Sequence, residues 1–151
     1  MTSERDALKD AFLRDAGLGE ARRAPLAGDA STRSYARLFL RDGSRRIFMD
    51  QPPVESAPCP PDADAETRRA LGYNALARLA AGRVDAFVAV AGWLRRAGLS
   101  APRIEAFDVG QGLAVMEDLG DDLFGALIAG GADEVPLYEA AVDALVHMQS
   151  T

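Results

Sequence analysis

The polar and apolar positions of this chain change period several times, and each change marks an element. Residues 3–16 carry Leu8, Ala11 and Phe12 at helical spacing, with Asp15 on the wet side. Ser3 is placed to cap this helix, with Asp6 three residues on as a capping-box partner, and Gly17 and Gly19 end it. A period of two follows. Residues 24–28 form a short strand. After a small-residue turn, Tyr35 and Arg37 fall on one side of a second strand, with Ala36, Leu38 and Leu40 on the other. Arg41-Asp42-Gly43-Ser44 reads as a hairpin turn, because Asp-Gly favours positive φ. Arg45 to Asp50 is a third strand with Ile47 and Met49 on one face, and Gln51-Pro52-Pro53 stops it. Strands this close, joined by short turns, imply an antiparallel sheet.

Residues 54–63 are rich in Pro, Ala and acidic side chains and read as a loop or disordered insert. An Ala-rich helix is expected over 64–82. Another is expected over 86–97, capped by Asp85, with Phe87, Val90, Ala91 and Leu94 on one face and Gly98 at its C-cap. Strands at 103–108 and 113–117 flank the turn Asp108-Val109-Gly110-Gln111-Gly112. Asp118-Leu119-Gly120-Asp121 breaks the pattern. Helices are expected at 121–129 and 135–150, the second with Leu137, Ala140, Ala141, Ala144, Leu145 and Met148 along one stripe. The fold class is therefore α+β: an antiparallel sheet of about five strands with helices, followed by helices alone.

The 151 residues are 48% hydrophobic, enough for one ordinary core. A formal net charge of −6 argues against a nucleic-acid surface, which needs basic residues to neutralise phosphates. A few local donors suffice for a triphosphate, so a nucleotide is not excluded. Cys59 is the lone cysteine, sits among prolines and has no His nearby. No intrachain disulfide is possible, and a cytoplasmic location is the expectation. No apolar run approaches the roughly 20 residues of a membrane span, so no membrane partner is expected. One His and one Cys are too few for a zinc cluster, so no metal site is expected in this chain.

The candidate chemistry lies in two places. Gly28-Asp29-Ala30-Ser31-Thr32-Arg33-Ser34-Tyr35 joins two strands through a small-residue turn. Such a turn lets backbone N–H groups approach an anion, as the loop covering ATP phosphates in kinase-like enzymes does. Taken alone, a plain turn is the more ordinary reading of it. The second place is Met116-Glu117-Asp118-Leu119-Gly120-Asp121, which without further context is an acidic turn after a buried strand. Asp118, Asp121 and Asp122 could face Mg²⁺ or a substrate, but a polar connector and a helix N-cap explain them better.

These segments, with Met49-Asp50-Gln51-Pro52-Pro53 and the stretch from Phe87 to Pro102, resemble the N-terminal part of the aminoglycoside phosphotransferase-like kinases, which share a fold with protein kinases. Within that group the chain looks most like bacterial kinases of cell-wall recycling that act on the anomeric hydroxyl of an amino sugar such as N-acetylmuramate or N-acetylglucosamine. The resemblance runs over about residues 4–151. It implies a protein-kinase-like N-lobe over 1–118, then a connector and the first helices of a truncated helical C-lobe over 119–151. It implies ATP and Mg²⁺ as cofactors, with the Mg²⁺ ligands downstream, and an amino-sugar substrate bound through the missing lobe. Gly28, Asp29, Ala30, Ser31, Thr32 and Arg33 would cover the nucleotide phosphates. Met116 would sit behind the adenine, and the Glu117 carbonyl and Leu119 N–H would bond its edge.

Two departures from the family pattern stand out. The third strand, Arg45-Arg46-Ile47-Phe48-Met49-Asp50, lacks the phosphate-holding lysine. Lys9 comes too early to replace it by motif. Arg33 or Arg46 is left as the candidate cation, with a solvated strand-end role the plainer reading of Arg46. Glu66 reads as an exposed helix charge. The catalytic His-x-Asp loop is also missing. His147-Met148-Gln149-Ser150-Thr151 is not that loop, so no catalytic residue is assigned within the chain and this piece alone is expected to be inactive. Competing readings are a non-catalytic kinase-like nucleotide-binding or regulatory module, a phosphotransferase for aminoglycosides or another small molecule, and a purely structural fragment.

Overall fold

A computed structural model of the chain describes residues 3–27, 33–53, 63–71 and 84–150. The element order is α1 (Glu4–Asp15), β1 (Arg22–Pro25), β2 (Ser34–Phe39), β3 (Arg45–Asp50), α2 (Ala65–Leu71), α3 (Val84–Arg96), β4 (Ile104–Asp108), β5 (Leu113–Glu117), α4 (Phe124–Ala129) and α5 (Glu134–Gln149). The strands form one five-stranded sheet in the order β1-β2-β3-β5-β4, and every neighbouring pair is antiparallel. With five described helices, this is the α+β, kinase-like N-lobe architecture that the resemblance implies.

The period-two pattern sorts side chains onto two faces. Leu38, Phe48, Leu113 and Val115 cluster with Leu13 of α1, and Phe12 stacks on Phe48 with ring centroids 6.1 Å apart. Met49, Ala114 and Met116 cluster on the opposite face with Val84 of α3, joined by Tyr35, Ile47, Phe87, Val88 and Ile104. β5 is thus covered on both faces. Leu113, Ala114, Val115 and Met116 are all buried, which explains its unbroken apolar run.

Helix ends follow the local sequence. The Ser3 hydroxyl accepts from the Asp6 N–H at 3.1 Å and donates to the Asp6 carboxylate at 2.8 Å, closing the expected capping interaction. After α3, Gly98 takes φ +82°, and Leu99 N–H donates to the Leu94 carbonyl while Gly98 N–H donates to that of Arg95. This paired closure satisfies carbonyls that the last helical turn leaves open.

Several boundaries differ from the sequence reading. β1 lies at Arg22–Pro25 rather than 24–28. It is an edge strand whose position comes from pairing with β2, not from an apolar alternation of its own. α3 begins at Val84, so Asp85 lies in its first turn and is not the cap. Its buried stripe runs through Val84, Phe87, Val88 and Ala91, while Val90 turns outward. α4 starts at Phe124 rather than 121, with Leu123 as an N-cap that makes no side-chain bond. α5 is capped by Asp133, whose carboxylate accepts from the Val135 N–H. On its expected stripe, Leu137, Ala141, Ala144 and Met148 are half-buried, but Ala140 and Leu145 are exposed. Gly28 to Thr32, most of the 54–63 loop with Cys59, and residues 72–82 of the Ala-rich helix lie outside the described residues. No helix among the described residues is long and apolar enough to cross a membrane.

Candidate functional site

β5 lies between β3 and β4 and carries Met116 and Glu117 at its end. Met116 is buried between Ile47 of β3 and Ile104 of β4, on the face covered by α3. The Glu117 N–H donates to the Arg103 carbonyl at 2.9 Å. The return bond does not go to the Glu117 carbonyl. Arg103 N–H donates instead to the Glu117 carboxylate at 3.1 Å, so the carbonyl is left without that donor. Two residues on, the exposed Leu119 has a backbone N–H with no hydrogen-bond partner among the described residues. A free donor just past a strand end, near a carbonyl freed from its ladder, is the pair that a flat heterocycle edge needs.

The connector is tied down from the sheet. Arg37 leaves the centre of β2 on the same face as Tyr35 and reaches both connector carboxylates. Its guanidinium donates to the two Asp121 oxygens at 2.6 and 3.0 Å. Its Nε lies 2.7 Å from Asp118 Oδ2 as an ion-pair contact, and Arg45 approaches the same oxygen at 3.4 Å. The Asp118 side chain is 3% exposed, and its Oδ1 accepts from the Gly120 N–H at 2.9 Å. Gly120 has φ +91°, a turn conformation that a side chain at this position would strain. The hydrogen bonds from Arg37 hold the Asp121 carboxyl below the usual carboxylate range, and the same contact raises the Arg37 guanidinium. Asp118 and Asp121 are therefore spent on Arg37, and neither caps α4. Among the described residues no group of three His, Cys, Asp or Glu side chains is arranged to hold a metal ion.

At the other end of the sheet, Arg33 directly precedes β2, on the α3-covered side. Its guanidinium carbon lies 5.7 Å from the ring centroid of Phe87 in α3. Gly28, Asp29, Ala30, Ser31 and Thr32, which the resemblance would set over the phosphates, lie outside the described residues. Arg46 does not share this side. It pairs in register with Leu38, on the α1 face, and donates to Glu105 at 2.5 Å. Lys9 also belongs to the α1 face, 2.7 Å from Asp6 and 3.5 Å from Asp50. The Asp6 contact raises its pKa. On the α3-covered face, β3 presents Arg45, Ile47 and Met49, and Arg45 stands at the connector end of the strand, 3.4 Å from Asp118. Glu66 is an exposed charge in the first turn of α2. His147 lies 2.5 Å through Nε2 from the Ala97 carbonyl, a contact that ties α5 to the end of α3.

Sequence reasoning missed Arg37. The signal was present: alternation puts this charged residue mid-strand on the face opposite Leu38. Its partners lie more than 80 positions away, beyond any local pattern.

No protein-family model matches the chain. Its sequence is 63% identical over 151 residues to the N-acetylmuramate/N-acetylglucosamine kinase of Caulobacter vibrioides, covering 99% of this chain and 41% of that protein. It is 34% identical over 136 residues to the protein of the same name in Pseudomonas aeruginosa, covering 88% of this chain and 32% of that one. The similarity to kinases of this kind thus extends along nearly the whole chain, which spans less than half the length of the curated relatives it matches.

Proposed function

We propose that this chain is the nucleotide-binding lobe of an ATP-dependent phosphotransferase. Its acceptor is the anomeric hydroxyl of an amino sugar, N-acetylmuramate or N-acetylglucosamine. The observation that carries the nucleotide half is the strand end at Glu117, with a carbonyl lacking its ladder donor and, two residues on, an N–H that is unpaired among the described residues. The sugar half is supported by the names of the relatives. Residues 1–118 act as the lobe, and 119–151 as the connector and the beginning of a helical lobe.

In this reading the Glu117 carbonyl and Leu119 N–H take the edge of the base, with Met116 behind it. The 28–32 loop and Arg33 lie over the phosphates. Phosphoryl transfer rests on positioning and charge stabilisation, so a lobe of this kind orients the donor and leaves acceptor activation to other residues. Mg²⁺ would neutralise the phosphate charge. Asp118 and Asp121 are committed to Arg37, so its protein ligands belong elsewhere in the whole enzyme. The catalytic aspartate also belongs there, and this piece alone is inactive. The place of action is the cytoplasm.

One observation favours a second reading, a non-catalytic nucleotide-binding module. The cation of β3 on the α3-covered face is Arg45, held 3.4 Å from Asp118 at the connector end of the strand, and no lysine stands on β3 to hold phosphates as in kinases.

Calorimetry of ATP binding to the chain, with and without Mg²⁺, tests the proposal. Saturable binding weakened by Gly28→Val and by Arg33→Ala supports it. Absence of binding at millimolar ATP by a folded chain refutes the nucleotide site in this lobe.

A further inference from the structure

Arg37 is the one described residue that joins the middle of the sheet to both acidic residues of the connector. It lies in register with Ile47 of β3, which in turn pairs with Met116 of β5. Its side chain therefore reaches from β2 past β3 to the connector that follows β5. Both ends of the segment from Asp118 to Asp121 are held: Asp118 by Arg37 and Arg45, Asp121 by Arg37. Leu119 and Gly120 lie between these two anchors. Asp118 adds an internal restraint by accepting from the Gly120 N–H. The four-residue turn has few other ways to fix itself, because Leu119 is exposed and Gly120 carries no side chain.

We infer that Arg37 is a positioning residue for the nucleotide base: by clamping Asp118 and Asp121 it holds the Leu119 N–H in the orientation that receives the base edge. This inference rests on the proposed nucleotide-binding role of the connector. Arg37 touches no phosphate in this scheme. Its effect is confined to how well the base is recognised, since a preorganised donor spares the ligand the cost of ordering the turn. An arginine suits the task because its planar fork engages two carboxylates at once, which a lysine ammonium does not.

The test measures binding of ATP and of inorganic tripolyphosphate to the chain, for the parent, Arg37→Met, Arg37→Lys and Arg46→Met. Arg46 is a matched control: it is also an ion-paired arginine of the sheet, but on the opposite face. Arg37→Met is expected to weaken ATP binding about tenfold while tripolyphosphate binding stays within about twofold. Arg37→Lys falls between, and Arg46→Met matches the parent for both ligands. Amide hydrogen exchange at Leu119 and Gly120 is expected to accelerate in Arg37→Met and not in Arg46→Met. A folded Arg37→Met that binds ATP as the parent does overturns the inference and leaves the nucleotide site standing. Equal loss for both ligands also overturns it, since the role would then be general stability. A parent that binds tripolyphosphate and ATP equally removes the base-reading edge and the inference together, leaving the phosphate loop. A parent that binds neither removes the nucleotide site itself.

Discussion

β5 and α5 are comparably apolar by sequence, yet they sit in opposite surroundings. Four consecutive residues of β5 are buried, because α1 covers one face of the sheet and α3 the other. No described residue of α5 is fully buried, and Val135, Tyr138, Val142, Leu145 and Val146 are exposed. α5 is attached through an edge contact between Phe124 and Tyr138 and through the His147–Ala97 hydrogen bond. The sheet thus carries its own two-sided cover, whereas α5 meets the rest of the described chain at a few points. Apolar composition selects which elements form, but stability comes from what lies on each side of them.

The sharpest way to break this comparison is at the sheet. Gly112 has φ +69°, and a Cβ there would lie 1.8 Å from the Gln51 carbonyl oxygen. That oxygen cannot retreat freely, because the Gln51 N–H donates to the Gly112 carbonyl at 2.8 Å and closes the β3–β5 ladder. Gly112→Ala is expected to have the largest effect of all, loss of the cooperative unfolding transition in urea. Leu38→Ala, a truncation at a fully buried site, is expected to cost about 2–5 kcal/mol. Val142→Ala and Val146→Ala in α5 are expected to stay within about 0.5 kcal/mol of the parent. Urea denaturation of each variant checks the contrast. An α5 truncation as costly as Leu38→Ala in a monomeric chain would show that α5 is packed as tightly as the sheet.

How much of this was legible in the sequence divides along the same line. The alternation in β2 and β3 placed Leu38, Ile47 and Met49 on their correct faces, because a period of two with a buried side has one consistent register. The Ser3 cap, the turn at Asp42-Gly43 and the ending at Gly98 were legible because each is decided within a few residues. β1 was misplaced because an edge strand takes its limits from its neighbour. Asp121 was misread as a cap because its partner, Arg37, is distant in the chain. Met116, Glu117 and Leu119 were marked as site residues by resemblance. Composition carried no sign that Arg103 would bond the Glu117 side chain rather than its carbonyl, since that choice depends on how β4 lies beside β5.

A smaller perturbation sharpens the contrast within the connector itself. The Asp118 side chain is 3% exposed and faces two arginines, while that of Asp121 is 69% exposed. Asp118→Asn is expected to cost about 1–3 kcal/mol, because it removes a charge partner from a largely desolvated place beside Arg37. Asp121→Asn is expected to cost less, since solvent already screens that pair. Urea denaturation of the two variants ranks them. The reverse order would place the main anchor of the connector at its exposed end.

The smallest expected effect is a pH dependence at the start of α1, the helix that covers one face of the sheet. The Asp6 carboxyl is lowered from 3.8 to about 2, first by its hydrogen bond with Lys9 and then by Ser3. A carboxylate with a depressed folded-state pKa binds fewer protons folded than unfolded, so its contribution rises with pH. That contribution is complete above about pH 4, where the unfolded group is ionised, and is lost as pH falls through about 2. The Asp121 carboxyl, lowered by Arg37, adds a slope of the same sign. Both groups are exposed, so the effect is a shallow slope and not a step. Asp6→Asn is expected to flatten the slope between pH 4 and pH 2, and the variant and parent should converge at the acid end of that window. NMR titration of the Asp6 carboxyl gives the direct reading. A midpoint near the ordinary 3.8 would mean that Lys9 is engaged elsewhere, with Asp50 on β3 its remaining carboxylate partner, and that α1 is tied to the sheet more firmly than its own first turn is closed.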